Sequence, residues 1–400
     1  MQNYADFQTQ DTLLRELADE FKAETGITVN YEILNWSQAR EKINLWHVSG
    51  GAPDVADLFW AYTYSDIGGG KYGTRPIEDL VAEYIPDLED RFFASSLADV
   101  KYKGHLYGVP WRIGIYPLLY RADFFEEAGL DPEGLQTWDD LVEYAKALTI
   151  RDENGNVTRY GMAFLPDLAQ AFYSWLWQAG GSFMDETYTQ ATIDTPAGRE
   201  ALQFIYDLVN VHQVAPIAQF QDPSFDVAAE LAAGHIAMMP AANTLRPFIE
   251  ANAPQLKEVI RVREPLRNKT QDAFQGAGYF GLTYDTRDVD AAMQWLAFLA
   301  RDENMARLAI QLGQLSPNKG ALEDPYFADD WWFSGQIKAL PYGRTTQHPN
   351  PAWGSITNPQ PGSPIYDMMI EVVTGEKSVE EALQETNQKM QQMMDEMARQ

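Results

Sequence analysis

At 400 residues the chain is too long for one ordinary core and fits two domains of typical size. Its 45% hydrophobic and 22% charged residues are globular proportions, and no apolar run nears the ~20 residues of a membrane span. The net charge of −28 repels nucleic-acid phosphates and anionic membranes, and the lack of cysteine excludes disulfides, thiolate metal sites and cysteine nucleophiles.

Aromatic residues are abundant, with 11 Trp, 20 Tyr and 19 Phe. Burial in two cores accounts for most of them. A carbohydrate groove would account for the rest, because flat apolar sugar faces stack on flat rings. The start, Met1-Gln2-Asn3-Tyr4, has neither the basic stretch nor the apolar core of a signal peptide. That leaves a cytoplasmic protein, or an exported one whose signal has been removed.

Helix and strand patterns alternate along the chain. Thr12–Thr25 reads as a helix with Leu13, Leu14, Leu17, Ala18 and Phe21 on one face, stopped by Gly26. Ile27–Leu34 follows as an alternating strand. Gln38–Val48 is a second amphipathic helix and Asp54–Trp60 a short apolar strand. Gly104–Val109 reads as a hairpin strand and Ile113–Tyr120 as a buried one. Thr137 caps the next helix, with Asp140 at its third position. Thr195-Pro196 opens another. Asp288–Leu299 and Asn304–Leu312 follow, and Ser378 with Glu381 forms a capping box for a final helix reaching toward Met397. Pro341–Pro364, rich in Pro, Gly, Asn and Gln, reads as an ordered surface loop. This alternation implies α/β architecture with parallel sheets. Two lobes without a linker imply that the chain crosses between them more than once.

Catalytic and metal motifs are missing. Gly68-Gly69-Gly70-Lys71 is followed by Tyr72, where a phosphate loop needs Ser or Thr, so it reads as a turn. No G-x-S-x-G elbow occurs. His47, His105, His212, His235 and His348 lie far apart without metal-ligand spacing. Asp152-Glu153-Asn154-Gly155-Asn156 lacks the glycine and the distal Glu of a calcium loop and reads as a hairpin turn. No carboxylate pair stands out as a glycosidase dyad. The chain calls for no metal and no cofactor.

Eight segments in order carry a resemblance. They are Phe21-Lys-Ala-Glu-Thr-Gly-Ile-Thr-Val29, Gly50-Gly51-Ala52-Pro53-Asp54-Val55, Gly104-His-Leu-Tyr-Gly-Val-Pro110 and Leu119-Tyr120-Arg-Ala-Asp-Phe-Phe-Glu-Glu-Ala-Gly129. Thr137-Trp138-Asp139-Asp140-Leu141, Ala233-Gly234-His-Ile-Ala237-Met238-Met239, Ser316-Pro317-Asn318-Lys319 and Thr374-Gly-Glu-Lys-Ser-Val-Glu-Glu-Ala-Leu383 follow. Together they resemble extracellular solute-binding protein family 1 over nearly the whole chain. Two departures stand out. Most of the family's first strand, expected before Tyr4, is missing or replaced. The stretch after the "A-M-M" strand, Pro240-Ala-Ala-Asn243-Thr244, lacks the family's frequent aromatic residue.

The resemblance implies a two-lobed, type II periplasmic-binding-protein-like α/β fold. Each lobe would be a mostly parallel sheet flanked by helices, with the ligand cleft between lobes. The first lobe would comprise 1–110 plus 282–313, and the second 115–276 plus 320–400. Hinge crossings would fall near 111–114, 277–281 and 314–319. Packing of the last helix on the first lobe stays open. The implied function is the substrate-binding subunit of an ABC importer, which captures a neutral sugar (an oligosaccharide or glycoside) and delivers it to the permease's transmembrane subunits. It would be a monomer without catalysis or nucleic-acid binding. It would be extracytoplasmic, either periplasmic or a cell-surface lipoprotein, with the signal segment absent here. A secreted acidic glycoside hydrolase, and a same-fold binding protein for a non-sugar such as a polyol phosphate, are the alternatives.

The candidate ligand residues follow from that frame. Trp111 sits where the family crosses between lobes; packing at the hinge is its other reading. Arg112 beside it offers a fork of donors for hydroxyls, or an interlobe ion pair. Trp60 and Tyr62 follow the Asp54 strand, flanked in sequence by Asp57 and Asp66. Tyr279 marks the return crossing. Trp36 begins the loop after the second strand. Trp175 and Trp177 would lie ~200° apart on a helix, so only one could face a ligand. Asn243 suits a hydroxyl, or a turn. Trp353, in the Pro-rich loop, suits a lid, whereas Trp331-Trp332 reads as core.

Overall fold

A computed structural model describes residue 1 and residues 7–35, 42–43, 45–46, 50–58, 73–241, 245–345 and 350–398. The chain divides into two compact units. The first comprises Met1–Gly114, Gln275–Asp330 and Thr345–Pro349; the second comprises Ile115–Phe274, Trp331–Arg344 and Asn350–Gln400.

The first unit is built around the strand Ala273–Leu282, on which the chain returns from the second unit. Every residue of that strand is buried, which requires the apolar and glycine-rich sequence found there. It pairs antiparallel with Val55–Leu58, setting Asp57 opposite Phe280 and Leu58 opposite Tyr279. The strands Val109–Ile115 and Gly343–Thr345 also pair with it. The segment before Val55–Leu58 is pinned from beyond the return strand. Thr283 Oγ1 donates to Pro53 O at 2.6 Å and Thr286 Oγ1 to Asp54 O at 2.7 Å, while the Ala52 N–H donates to Asp285 at 2.8 Å. The helix Phe7–Thr25 buries Leu13, Leu14, Leu17, Ala18 and Phe21, as its periodicity predicts. Its outer face is tied to the helix Asp302–Gln311 through Arg307, which pairs with Glu16 and Glu20.

The second unit holds the strand Leu118–Arg121 between Met238–Pro240 and Ile260–Arg263, antiparallel to both. The helices Leu168–Gln178, Pro196–Tyr206, Pro364–Val373 and Val379–Met397 pack together beside it. The helix caps follow the local sequence. Thr137 and Asp140 form a reciprocal capping box for Trp138–Leu148. Asp167, Thr195, Asp288 and Ser378 accept from the first turn of their helices.

Several sequence expectations need correction. Val55–Leu58 on Ala273–Leu282, and Leu118–Arg121 on its two neighbours, are antiparallel pairs, the first because Ala273–Leu282 re-enters the first unit and so runs against Val55–Leu58. Ile113–Tyr120 is two strands, Val109–Ile115 and Leu118–Arg121, because Tyr116-Pro117 interrupts it and proline supplies no donor to a ladder. Ile27–Ile33 forms no assigned strand; Leu34 makes a bridge, and its N–H donates to Met1 O. Of Gln38–Val48, only Lys42, Ile43, Leu45 and Trp46 are described, and they are helical.

The third crossing falls after Asp330 rather than at 314–319. Residues 314–330 stay in the first unit because their backbone is bonded there: Phe93 N–H donates to Pro317 O, and Lys319 N–H to Arg91 O. The last helix belongs to the second unit, packed on Pro196–Tyr206 and Pro364–Val373. The Pro-rich segment is no simple surface loop, since Trp353, Ile356 and Pro364 are buried. Asp152-Glu153-Asn154-Gly155-Asn156 is the turn of a hairpin between Ile150–Arg151 and Val157–Arg159, with Asp152 accepting from the Asn154 and Asn156 amides. No described helix is long and apolar enough to cross a membrane.

Candidate functional site

Of the residues singled out by sequence, Trp36, Trp60, Tyr62 and Asn243 lie outside the described residues, as do Asp66 and the triple glycine. The remaining ones fall into two groups, one in each unit.

In the first unit, Trp111 and Arg112 are adjacent on the buried strand Val109–Ile115, so their side chains leave opposite faces. Trp111 is fully buried. Its indole N–H donates to Asp57 Oδ1 at 2.8 Å, and its ring stacks on Phe280 with centroids 5.5 Å apart. Asp57 and Phe280 are paired opposite each other, so a single register brings both partners to Trp111. Arg112, 6% exposed, lies over Gly278: a Cβ at 278 would sit 2.6 Å from Arg112 Nε and 2.9 Å from its Cγ. Tyr279 is buried with its ring against Gly108. The glycines thus let a neighbouring strand's large side chains lie directly on backbone. Trp111, Arg112 and Tyr279 are brought together as buried side chains, with the indole N–H engaged by Asp57.

In the second unit, Trp175 and Trp177 stand on the helix Leu168–Gln178 and separate as helical geometry requires. Trp175 packs on Trp138 and Phe204, in the helix–helix core. Trp177 faces Tyr173 and Phe183, with the Arg344 guanidinium 5.0 Å from its ring centroid. Arg344 also donates to Asp272 and Ser182.

From this second face runs an aromatic column that sequence reasoning did not find. Tyr116 stacks on Phe274 (4.5 Å, 13°), Phe274 on Tyr173 (5.7 Å, 16°), and Tyr173 on Trp353 (5.7 Å, 27°). Phe183 closes it edge-on against Tyr173 and Trp353. Trp353 is therefore a buried member of the column rather than a lid residue on a surface loop. The four stacked rings come from the Tyr116-Pro117 break, the start of the return strand, a helix and the Pro-rich segment. Tyr116, at one end, is more exposed than the other three. Asp167 caps the same helix at its N-terminus, and burial pushes its carboxyl up to about 6. Burial likewise raises the Tyr173 hydroxyl, which bonds Thr357. Such a site offers ring faces and a half-buried acceptor, the chemistry of a polyhydroxylated, partly apolar ligand. Among the described residues no group of three or more His, Asp or Glu is placed to hold a metal ion. The local hint to the column was the Tyr116-Pro117 break within an apolar run; its other members carry no local signature.

The model of the bacterial extracellular solute-binding protein family matches residues 4–306. The chain belongs to that family. Among curated members, the arabinooligosaccharide-binding protein of Halalkalibacterium halodurans is 28% identical over 286 residues, 70% of this chain and 62% of the relative. Its namesake in Bacillus subtilis is 26% identical over 289 residues, 69% of this chain and 63% of the relative. The matched region thus spans under two thirds of either relative's length. The solved structure of the sugar-binding protein MalE from Xanthomonas citri superposes with a TM-score of 0.83 at 21% identity, covering 96% of this chain and 95% of that one. At that identity the likeness shows the fold, which is that of the type II periplasmic binding proteins. The family is one of extracellular substrate-binding proteins.

Proposed function

We propose that this chain is the substrate-binding subunit of an ABC importer and binds a neutral oligosaccharide without transforming it. Membership of the solute-binding family over residues 4–306 carries this reading. Two curated relatives named for arabinooligosaccharide make pentose oligosaccharides the first ligands to try. The net charge of −28 disfavours an anionic ligand and suits a neutral one. The Tyr116–Phe274–Tyr173–Trp353 column supports a ring-stacking site, with Tyr116 as the ring that meets sugar and Asp167 as an acceptor for its hydroxyls. Trp60 and Tyr62 are the stacking residues we infer from the sequence outside the described regions, with Trp36 and Asn243 as further contacts. Trp111, Arg112 and Tyr279 act as interior packing of the first unit rather than touching ligand. The protein works outside the cytoplasm as a monomer and hands its cargo to permease subunits.

The deciding experiment is a thermal-shift screen with arabino- and malto-oligosaccharides, followed by chromatography of the incubated sugar. A ligand that binds only the folded state raises the melting temperature. We expect a shift with at least one oligosaccharide and its recovery intact. Fragments accumulating with incubation time would replace the importer subunit by a hydrolase.

A further inference from the structure

Asp167 follows the buried segment 161–165 of the second unit. One side of that segment is bonded to the chain at 235–238. Tyr160 and Ile236 form a parallel bridge, and the Ala163 N–H donates to Met238 O at 2.9 Å. On the other side the Met162 N–H donates to Val214 O at 3.0 Å. Beyond Val214 the chain forms the short helix Ala218–Gln221, and a side chain from that helix takes over the pairing. Gln219 Oε1 accepts from the Phe164 N–H at 3.1 Å, while Gln219 Nε2 donates to Phe164 O at 2.9 Å and to Leu165 O at 3.1 Å. The adjacent Phe220 ring meets Phe164 edge-on, with centroids 5.5 Å apart.

A primary carboxamide carries the acceptor and donor of a peptide group, with one further N–H. Gln219 therefore stands in for the next residue of a pairing strand. Its partners also fix its orientation, because the reverse one would set amide hydrogens against the Phe164 N–H and the oxygen against two carbonyls. Phe164 and Leu165 are buried, so loss of these bonds would leave interior backbone groups unpaired. Only Pro166 separates Leu165 from Asp167, and its ring fixes one backbone dihedral. Little slack therefore lies between the grip on Leu165 O and the Asp167 carboxyl. That carboxyl accepts from the Gln170 N–H at 3.0 Å and caps the helix that carries Tyr173. Ligands of open α/β folds bind just beyond the carboxyl ends of parallel-paired segments, which is where Asp167 stands.

We propose that Gln219 is a positioning residue of the binding site: by holding Phe164 and Leu165 it sets the Asp167 carboxyl where sugar hydroxyls can donate to it. The proposal rests on the reading of Asp167 as a hydroxyl acceptor. Gln219 acts through the backbone and does not itself touch sugar. The same placement keeps the carboxyl half-buried beside the Ala169 and Gln170 N–H groups; burial is the larger effect and raises its pKa.

Two double-mutant cycles on the full chain test it, built on Gln219→Met, which keeps the length of the side chain but neither amide group. In the first, calorimetric titration with arabinotriose and with maltotriose compares Gln219→Met in the wild-type and Asp167→Ala backgrounds. Gln219→Met should weaken binding several-fold for the triose that wild type takes up, and by much less once Asp167→Ala is present. Gln219→Glu, whose carboxylate accepts from the Phe164 N–H but repels both carbonyls, should behave like Gln219→Met, and it replaces that variant if the latter fails to fold. The second cycle needs no sugar. Between about pH 4 and about pH 6 the melting-temperature gap between Asp167→Asn and its parent should flatten in the Gln219→Met background, because a carboxyl released to water titrates near its ordinary value. Unchanged affinity, an equal loss of affinity in both backgrounds, or a pH-dependent gap that Gln219→Met leaves intact would make Gln219 a packing residue and overturn the proposal. Wild type taking up neither triose would count against the oligosaccharide reading instead, and the sugar-free cycle then decides the role of Gln219.

Discussion

The Trp111 indole N–H donates to Asp57 Oδ1 at 2.8 Å, and both side chains are buried. This bond ties the strand Val109–Ile115 to Val55–Leu58, while the ring is held by Phe280 from the strand between. Trp111→Ala should therefore lower stability by about 3–5 kcal/mol, the usual cost of emptying a buried indole site. Trp111→Phe keeps the stacking but takes a donor from Asp57, at about 1–3 kcal/mol. Urea denaturation checks both. An Ala variant with wild-type stability and lost sugar binding would restore Trp111 as a ligand-stacking residue.

Tyr116 should behave in the opposite way. It ends the aromatic column and is more exposed than Phe274, Tyr173 or Trp353. Tyr116→Ala is expected to weaken binding of the oligosaccharide found in the thermal screen by about 1–2 kcal/mol, in the range of aromatic contacts at binding sites. Its melting temperature should fall less than that of Tyr173→Ala, which removes a ring stacked on both sides. Calorimetric titration of the two variants separates the effects; equal affinity for Tyr116→Ala and wild type would place the sugar elsewhere.

Gly278 tests how the first unit accommodates Arg112. A Cβ there would press on Arg112 Nε, Cγ and Cζ at 2.6–3.0 Å, and Arg112 is 6% exposed with little room to retreat. Gly278→Ala should cost about 1–3 kcal/mol, as overpacking does. Adding Arg112→Ala in the same chain should recover part of that loss, which a double-mutant cycle in urea would reveal. Strictly additive losses would mean that the two residues do not press on each other.

The pH dependence of Asp167 has a definite sign. Its folded carboxyl lies near 6, above the ordinary value of 3.8, because burial disfavours the charged form. Between those limits the unfolded chain loses its proton first, so stability falls as pH rises from about 4 to about 6 and is then level in this residue's contribution. Asp167→Asn keeps a helix cap and cannot ionise. The variant's melting temperature relative to wild type should climb across that window and stay constant above it. A difference that is flat from pH 4 to 8 would place Asp167 in water.

The helices were largely legible because their signals are local. Thr137 with Asp140, Asp288 and Ser378 mark helix starts through bonds spanning three residues, and the structure contains each of them. If helical, the Trp175–Trp177 spacing sets the two rings on different faces, and the chain forms that helix. Sheet direction was less legible, since Val55–Leu58 meets a strand more than two hundred residues away and its pattern does not reveal that strand's direction. Trp111 illustrates the limit at the site. Its sequence position at a crossing favoured a ligand role over packing, and only the register that sets Asp57 opposite Phe280 reveals a partner for its N–H and a ring for its face.

The sequence by itself determined the family, through short motifs kept in order, and the α/β character, through hydrophobic periodicity. Tertiary structure alone decided which side chains share a site. Tyr116, Phe274, Tyr173 and Trp353 stack although they come from four distant segments, and Asp99 meets Gln275 at 176 residues' separation. The physical reason is that capping and periodicity are satisfied within a turn or two of backbone. Ring stacking and the state of a buried carboxyl depend instead on what the folded chain places within a few ångströms, whatever the distance along the sequence.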